Sequence, residues 1–482
     1  MATLLLATLA FALSQTMVVP ALPDIAQEYG TTRGGAAWVL TGFLLSASVA
    51  TPIVGKLGDV LGKGRVLTGV LLVFSLGSVV NGLADAIGPL VAGRVLQGVA
   101  GGVFPLAFGI IRDTFPPPRV GVGIGSLSAM FGIGGGIGLP LAGVIVDTAG
   151  VSLVFWSGLI AVPAALAARR FVPASPSREG SASIDWAGAL ALSAALGALL
   201  LALSQSNAWG WRSPATLGLL GGGLAGLVGW VRLELDRSEP LVDIRLLSTR
   251  AVAATNLTGF LIGFAMFSSF LLIPQFAQTP LPAGYGFGAS ATGAGLIMLP
   301  SALVMLGAGP LAGAVGSRIG FRPVLATGTA AVCASFVLLT VAHGAVWEFV
   351  VSGALLGVGI SCSLAAMANL IVQAVPQRDV GIATGINTIA RTMGGAFGSA
   401  VATAVVTAQM IPGTEVPAES GYTAAFFVAA AGGALALGAA LSVPRPPDGR
   451  VPGREPVALG WPSGGPPPAA TPAASGTPRR AS

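Results

Sequence analysis

Charge is what this 482-residue chain has least of. Asp, Glu, Lys and Arg together make up 9% of it, where a soluble domain carries roughly 25%. With 54% hydrophobic residues and a mean hydropathy of +0.84, a water-covered surface of ordinary composition cannot be assembled, and a soluble globular fold is excluded. One histidine, His343, at the outer end of an apolar run, reads as a surface residue. The two cysteines, Cys333 and Cys362, both lie inside apolar runs and read as small packing residues, so neither a metal site nor a disulfide framework is expected. No G-x-x-x-x-G-K-[ST] loop occurs, which argues against nucleotide hydrolysis. The net charge of +6 and pI near 10.1 come without a basic stripe interleaved with aromatics, which argues against nucleic acid as a partner. None of the 18 acidic residues falls mid-way along an apolar run; Asp24 and Glu348 come nearest. A membrane-embedded transferase therefore lacks the polar cluster it needs, and no enzyme is expected.

What the chain has instead is apolar runs long enough to cross a bilayer, about 20 residues each at 1.5 Å per residue. Cutting at charges and Pro or Gly-Pro clusters gives 2–22, 36–56, 66–84, 89–111, 120–146, 151–170, 186–205, 213–231, 252–275, 290–314, 323–342, 346–371, 380–409 and 422–443. The first run lacks the basic n-region of a signal peptide and reads as a transmembrane helix. Fourteen spans put both termini on one side. Twenty of the 24 Lys and Arg residues fall in alternate connections and the tail, while only Arg33 and Arg212 lie in the opposite ones and Arg94 and Arg391 within spans. The positive-inside rule makes the rich side cytoplasmic, so a multi-pass protein of the cell membrane with both termini cytoplasmic is expected.

The chain also repeats itself. Residues 121–138 lie over 381–398 at an offset of 260 with five glycines matched, and Gly55, Gly58 and Gly62 meet Gly313, Gly316 and Gly320 at an offset of 258. This predicts an all-α protein of two six-helix halves related by pseudo-two-fold symmetry, 1–171 and 252–443. Two additional helices would lie in a linker, 172–251. A Pro-, Gly- and Ala-rich tail, 444–482, is expected to be disordered. Parallel repeats about an axis along the membrane normal suit a transporter that rocks one half against the other around a midplane site.

Three stretches stand out as motifs. "GKLGDVLGKGR" (55–65) holds both lysines of the chain, with Asp59 and Arg65, and its glycines predict a tight turn between spans two and three. "GRVLQGVAGGVF" (93–104) places Arg94 inside a span, where an arginine costs about 2.5 kcal/mol or more to insert and normally faces protein. "GIGGGIGLPLAG" (132–143) combines Gly134, Gly138 and Gly143, which let helices touch, with Pro140, which bends one. Arg391, near the middle of span thirteen, has Asn387 and Thr388 within a turn and predicts a polar lining.

These three motifs, with the fourteen spans, resemble the major facilitator superfamily, in particular its fourteen-span drug:proton antiporter branch, over nearly the whole chain except the tail. The resemblance implies that Gly55, Gly58, Asp59, Gly62, Lys63 and Arg65 form a gating latch. In it Asp59 would face the N-terminus of the helix near Gly381, and Lys63 or Arg65 would pair with Asp113. It also implies proton coupling or transport roles for Arg94, Gln97, Asp24 and Arg391. The branch's helix-one L-D-x-T reads Leu13-Ser14-Gln15-Thr16 here, so the usual carboxylate is absent. Ser14 and Gln15, with Asn256, Phe264, Met298, Asn387 and Thr388, are the candidate cavity lining. The function implied is export of hydrophobic small molecules driven by the proton gradient, with no other cofactor, acting as a monomer in lipid; the lack of a carboxylate within the spans, with Arg391 in one of them and an otherwise neutral lining, predicts a preference for neutral or weakly acidic amphipaths over permanent cations. Metabolite uptake or facilitated diffusion on the same fold is the alternative.

Overall fold

A computed structural model describes residues 1–172, 185–237, 242–414 and 416–444. The tail expected to be disordered lies, from residue 445 on, outside them. Among the described residues thirteen helices are long and apolar enough to cross a membrane, and a bent pair counted as one span makes a fourteenth. In chain order they are α1 (Ala2–Leu22), α2 (Gly35–Leu61), α3 (Lys63–Gly82), α4 (Ile87–Thr114), α5 (Pro117–Ala149), α6 (Val151–Phe171), α7 (Ala187–Trp209), α8 (Pro214–Leu235), α9 (Arg250–Gln278), α10 (Thr292–Ile319), α11 (Phe321–Val341), α12 (Val346–Ala374), α13 (Val380–Thr407) and α14 (Glu419–Ser442). One large apolar core is built from residues 254–443, and another mainly from α1–α6. Exposed leucines and valines such as Leu72, Leu166, Leu224 and Leu435 are what a lipid-facing perimeter requires.

Two local breaks follow from small residues. In α4 a 3-10 turn, Val99–Gly102, interrupts the α-helix where Gly98 and Gly101 let it settle against the backbone of α2 at Phe43 and Ala47. In α5 the direction changes by 41° between Pro117–Gly135 and Pro140–Val146. Pro140 has no N–H to give to the helix ladder, and Gly134 and Gly138 press against Ala12 and Thr16 of α1. Thr16 Oγ1 donates to the Gly134 carbonyl at 2.6 Å. Gly143 touches nothing nearer than Thr292, 3.8 Å from a Cβ built on it.

The stretch 55–65 is not the loop its glycines suggested. Helix α2 runs through Gly55 and Gly58 to Leu61, the Gly62 N–H closes on the Gly58 carbonyl at 3.1 Å, and Lys63 already opens α3. Gly62 alone turns the chain, at φ +96°, and Gly320 makes the same turn at φ +91° between α10 and α11. Gly55 serves contact instead, since a Cβ on it would lie 3.1 Å from the Gly381 carbonyl oxygen on α13. The repeat carries this into the other half: Gly121 of α5 would meet the Gly313 carbonyl of α10 at 2.9 Å. Each half thus offers one equivalent helix end to each of two seams.

The two additional helices are central in the sequence and peripheral in space. Helix α7 lies across the α2/α13 seam, with Thr41 and Ser204 hydroxyls 3.3 Å apart and Asn207 Nδ2 donating to the Ala400 carbonyl at 3.3 Å. Helix α8 packs on α7 and is otherwise largely exposed. His343, expected at the surface, is partly buried and partnered. Its Nε2 is 3.2 Å from Glu419 Oε1, its Nδ1 2.7 Å from the Leu339 carbonyl, and its ring packs on Phe276 and Phe426.

Candidate functional site

Polar side chains inside the bundle gather in three places. The first is at the end where α2 meets α3. Lys63, 6% exposed, lies with its Nζ 2.8 Å from Asp113 Oδ2 and 3.5 Å from Asp59 Oδ1. Of the two cations the resemblance offered to Asp113, Lys63 is therefore the partner; Arg65, two positions further along α3, is exposed. Asp113 also accepts from Gln377 Nε2 at 2.8 Å. Arg112 donates through both terminal nitrogens to the Val375 carbonyl, at 3.1 and 3.2 Å. Asp59 abuts Gly381, whose added Cβ would stand 3.0 Å from Oδ2.

The electrostatics of this arrangement are those of two helix ends. Val375 caps the C-terminus of α12 and Gly381 lies in the first turn of α13. A cation, Arg112, is therefore held at a negative dipole end and an anion, Asp59, at a positive one, each a favourable placement. Both come from the first half and both targets from the second. At the equivalent place in the α5/α10 seam, Ser317 stands against Gly121 and donates to the Gly313 carbonyl at 2.7 Å, so that seam carries no charge there.

The second place is the core of the first half. Arg94 is fully buried, its Nε donating to the Val39 carbonyl at 3.1 Å and its Nη1 to the Ser14 carbonyl, Ser14 Oγ and Gln97 Oε1 at 3.1, 3.0 and 2.8 Å. The guanidinium lies 4.2 Å from the Phe43 ring centroid. Gln97 Oε1 also accepts from Asn81 at 3.0 Å, and Gln97 Nε2 donates to Ser78 Oγ at 2.8 Å. Asp24, proposed alongside these residues, is exposed on the helix Val18–Glu28 and takes no part in the network. The chain runs on past the apolar span in helical form, which carries Asp24 out of the core.

The third place lies between the halves. Two narrow clefts, each with room for about one water, meet at Arg391. Asn387 and Thr388 line the first with Phe108, Ser128 and Thr384; Gln15 and Thr388 line the second with Phe11, Ser48 and Thr51. Phe131 of α5 belongs to both, its ring centroid 4.4 Å from the Arg391 guanidinium carbon. Asn256 lies behind, accepting from Asn387 Nδ2 at 3.1 Å.

Four expected lining residues do not line either cleft: Asn256, which stands behind Asn387, and three that are elsewhere. Ser14 turns to Arg94. Phe264 packs against Gly398, Gly432 and Phe397 within the second half, and Met298 sits in that half's core. An aromatic or thioether in an apolar run serves packing or a cavity equally well, and α9 and α10 turn these two toward their own bundle. Sequence reasoning missed Phe131, one position before the Gly-rich stretch of α5, and Gln377 and Arg112, whose roles depend on contacts more than 260 positions away.

A family model described as Major Facilitator Superfamily matches residues 4–281 and 255–476. An uncharacterized MFS-type transporter of Mycobacterium tuberculosis (strain ATCC 25618 / H37Rv) is 34% identical over 400 residues, 80% of this chain and 56% of the relative. This chain thus spans little more than half of that protein's length. The multidrug transporter protein MdtP of Bacillus subtilis is 29% identical over 80% of this chain and 71% of its own length. The tetracenomycin C resistance and export protein of Streptomyces glaucescens is 28% identical over 79% and 70%. In fold, the crystal structure of the human organic anion transporter MFSD10 superposes with a TM-score of 0.65 at 16% identity, covering 91% of this chain and 98% of that one.

Proposed function

We propose that this chain, which belongs to the major facilitator superfamily, is a secondary transporter of the cell membrane that exports hydrophobic small molecules in exchange for protons. The observation that carries the reading is the grip at one end of the bundle. Asp59 and Arg112 of the first half hold the ends of α13 and α12 of the second, with the Asp113–Gln377 hydrogen bond between them. Contacts of this kind bind strongly when the halves meet and vanish when they part, so they bias one of two states. The clefts around Arg391 lie where those halves meet, and at their present size they describe a closed state; a drug-sized site needs roughly 300–1,000 Å³. Opening one end or the other would expose the same lining alternately. The relatives named for multidrug transport and for tetracenomycin C export support the substrate class.

In this reading the α2–α3 end faces the cytoplasm, as the distribution of arginine indicates. Arg94 and Gln97 tie α1, α2 and α4 together, so a change in the charge or hydration of this network would reach α1 and Gln15 at the cleft. In proteoliposomes, a pH gradient should drive accumulation of a hydrophobic antibiotic and an uncoupler should abolish it. One observation favours a second reading, facilitated diffusion: every described Asp and Glu in a span lies close to a helix end. Movement along the antibiotic's own gradient, indifferent to the uncoupler, would establish that reading and overturn proton exchange.

A further inference from the structure

Among the described residues two arginines are buried between helices, Arg94 and Arg391, and they are differently occupied. Arg94 spends its Nε and Nη1 on four hydrogen bonds. Arg391 is only 7% exposed, yet among the described residues it makes no hydrogen bond and no ion pair; its recorded partner is the Phe131 ring. A guanidinium stacked on a ring uses its face, and its five N–H donors lie in the plane, free for an acceptor. Both clefts open on this group.

Burial of an unpaired cation is costly, and the cost is relieved when an anion arrives. No carboxylate lines either cleft, so a cationic guest would add a second unpaired charge beside the first. The rest of the lining suits the body of an aromatic guest: Phe11, Phe131 and Phe267 offer rings, and Thr388 and Gln15 offer neutral polar groups. Asn387 is already committed through its amide nitrogen to Asn256 and the Thr255 carbonyl, which fixes its position one turn from Arg391.

We infer that Arg391 is an anion-binding point between the halves, and that the chain takes amphipathic aromatic carboxylates in preference to neutral or cationic compounds of the same shape. This rests on the transport reading above and narrows its substrate class. Phe131 comes from α5 and Arg391 from α13, so the site draws groups from both halves, and an aromatic carboxylate enters it when the halves part enough to widen the clefts.

The test is binding to the full chain in lipid nanodiscs, using three compounds with one ring system: 1-naphthoate, 1-naphthamide and 1-naphthylmethylammonium. Charge-assisted hydrogen bonds are roughly twice as strong as neutral ones, so naphthoate should bind about ten-fold or more tighter than the amide, and the ammonium weakest. Arg391→Gln should remove most of that preference by weakening naphthoate far more than the amide, and Arg391→Lys should restore part of it. Equal affinity of the native protein for naphthoate and the amide, tighter binding of the ammonium, or an Arg391→Gln variant that keeps the preference would each overturn the inference. If Arg391→Gln does not fold, the native ranking and the Lys variant decide. Gradient-driven transport of the amide, measured in parallel, separates the two claims. Its presence without any naphthoate preference overturns the anion site alone, and the absence of gradient-driven transport of both the amide and naphthoate, beside a clear binding preference, overturns export alone.

Discussion

Replacing Asp59 by Asn keeps the side chain's volume and removes its charge, and the structure shows which part of the consequence bears on transport. Lys63 keeps Asp113 at 2.8 Å, so the variant leaves that pair intact. Both Lys63 contacts lie within the first half and cancel between conformations in which the halves move as bodies. The contact that differs is the carboxylate against the first turn of α13 at Gly381. An anion in such a partly buried place is worth up to about 2 kcal/mol, which is a factor of about 30 in an equilibrium between closed and open. A population of one open molecule in ten would become about three open to one closed. Spin labels at Leu61, which is 51% exposed, and at exposed Gln373 near the end of α12, in a background without Cys333 and Cys362, read the separation of the halves. Asp59→Asn should add a longer distance at the expense of the short one and lower transport strongly, with protein level unchanged. An unaltered distance distribution together with unaltered transport would refute the assignment of Asp59 to the grip.

The same logic applies to Arg112→Gln, which removes the cation from the Val375 carbonyl and should shift the label distances in the same direction by a similar factor, on the order of 10-fold or more. Arg94→Lys retains charge but cannot reach Val39, Ser14 and Gln97 together, so melting temperature should fall by several degrees and transport by about ten-fold or more; an active, equally stable Lys variant would remove the network from the mechanism. In the α5/α10 seam, a Cβ on Gly125 would run into the Gly309 carbonyl, whereas Gly307 has open space around it. Gly125→Val should therefore cost about 1–3 kcal/mol and reduce folded yield, and Gly307→Ala should behave as native in the same melting assay. Reporter fusions at Ser482 and Asp185 should read cytoplasmic and one near Glu415 external; an external signal at Ser482 would invert the topology.

Much of the architecture was legible before any coordinates. Hydropathy alone placed the spans, because in lipid each backbone N–H and C=O must be satisfied within its own segment and a continuous helix is the local solution. The glycine repeat marked the two halves, and the structure gives the reason for those glycines. Gly62 and Gly320 make one turn twice, and Gly55 with Gly381, and Gly313 with Gly121, bring helix backbones together across the two seams. The resemblance carried Asp59, Lys63 and Asp113 to one place, where the structure brings them into contact.

What the sequence by itself determined was the set of helices, their number and the scarcity of charge within them, since these depend on local composition and on the lipid. Which way each helix faces was decided only by the tertiary structure. Arg94 and Arg391 look alike in the chain, each an arginine within an apolar run, yet one is held through Nε and Nη1 by Ser14, Val39 and Gln97 and the other is left with a phenylalanine ring. Phe264 and Met298, equally plausible as lining, turn into the second half's core, while Phe131, stacked on Phe104 in the first half, also meets Arg391. Rotation of a helix about its own axis leaves its hydropathy unchanged and exchanges every one of these partners, so the information lies in the packing of small residues between helices remote in sequence, and there the cleft was made.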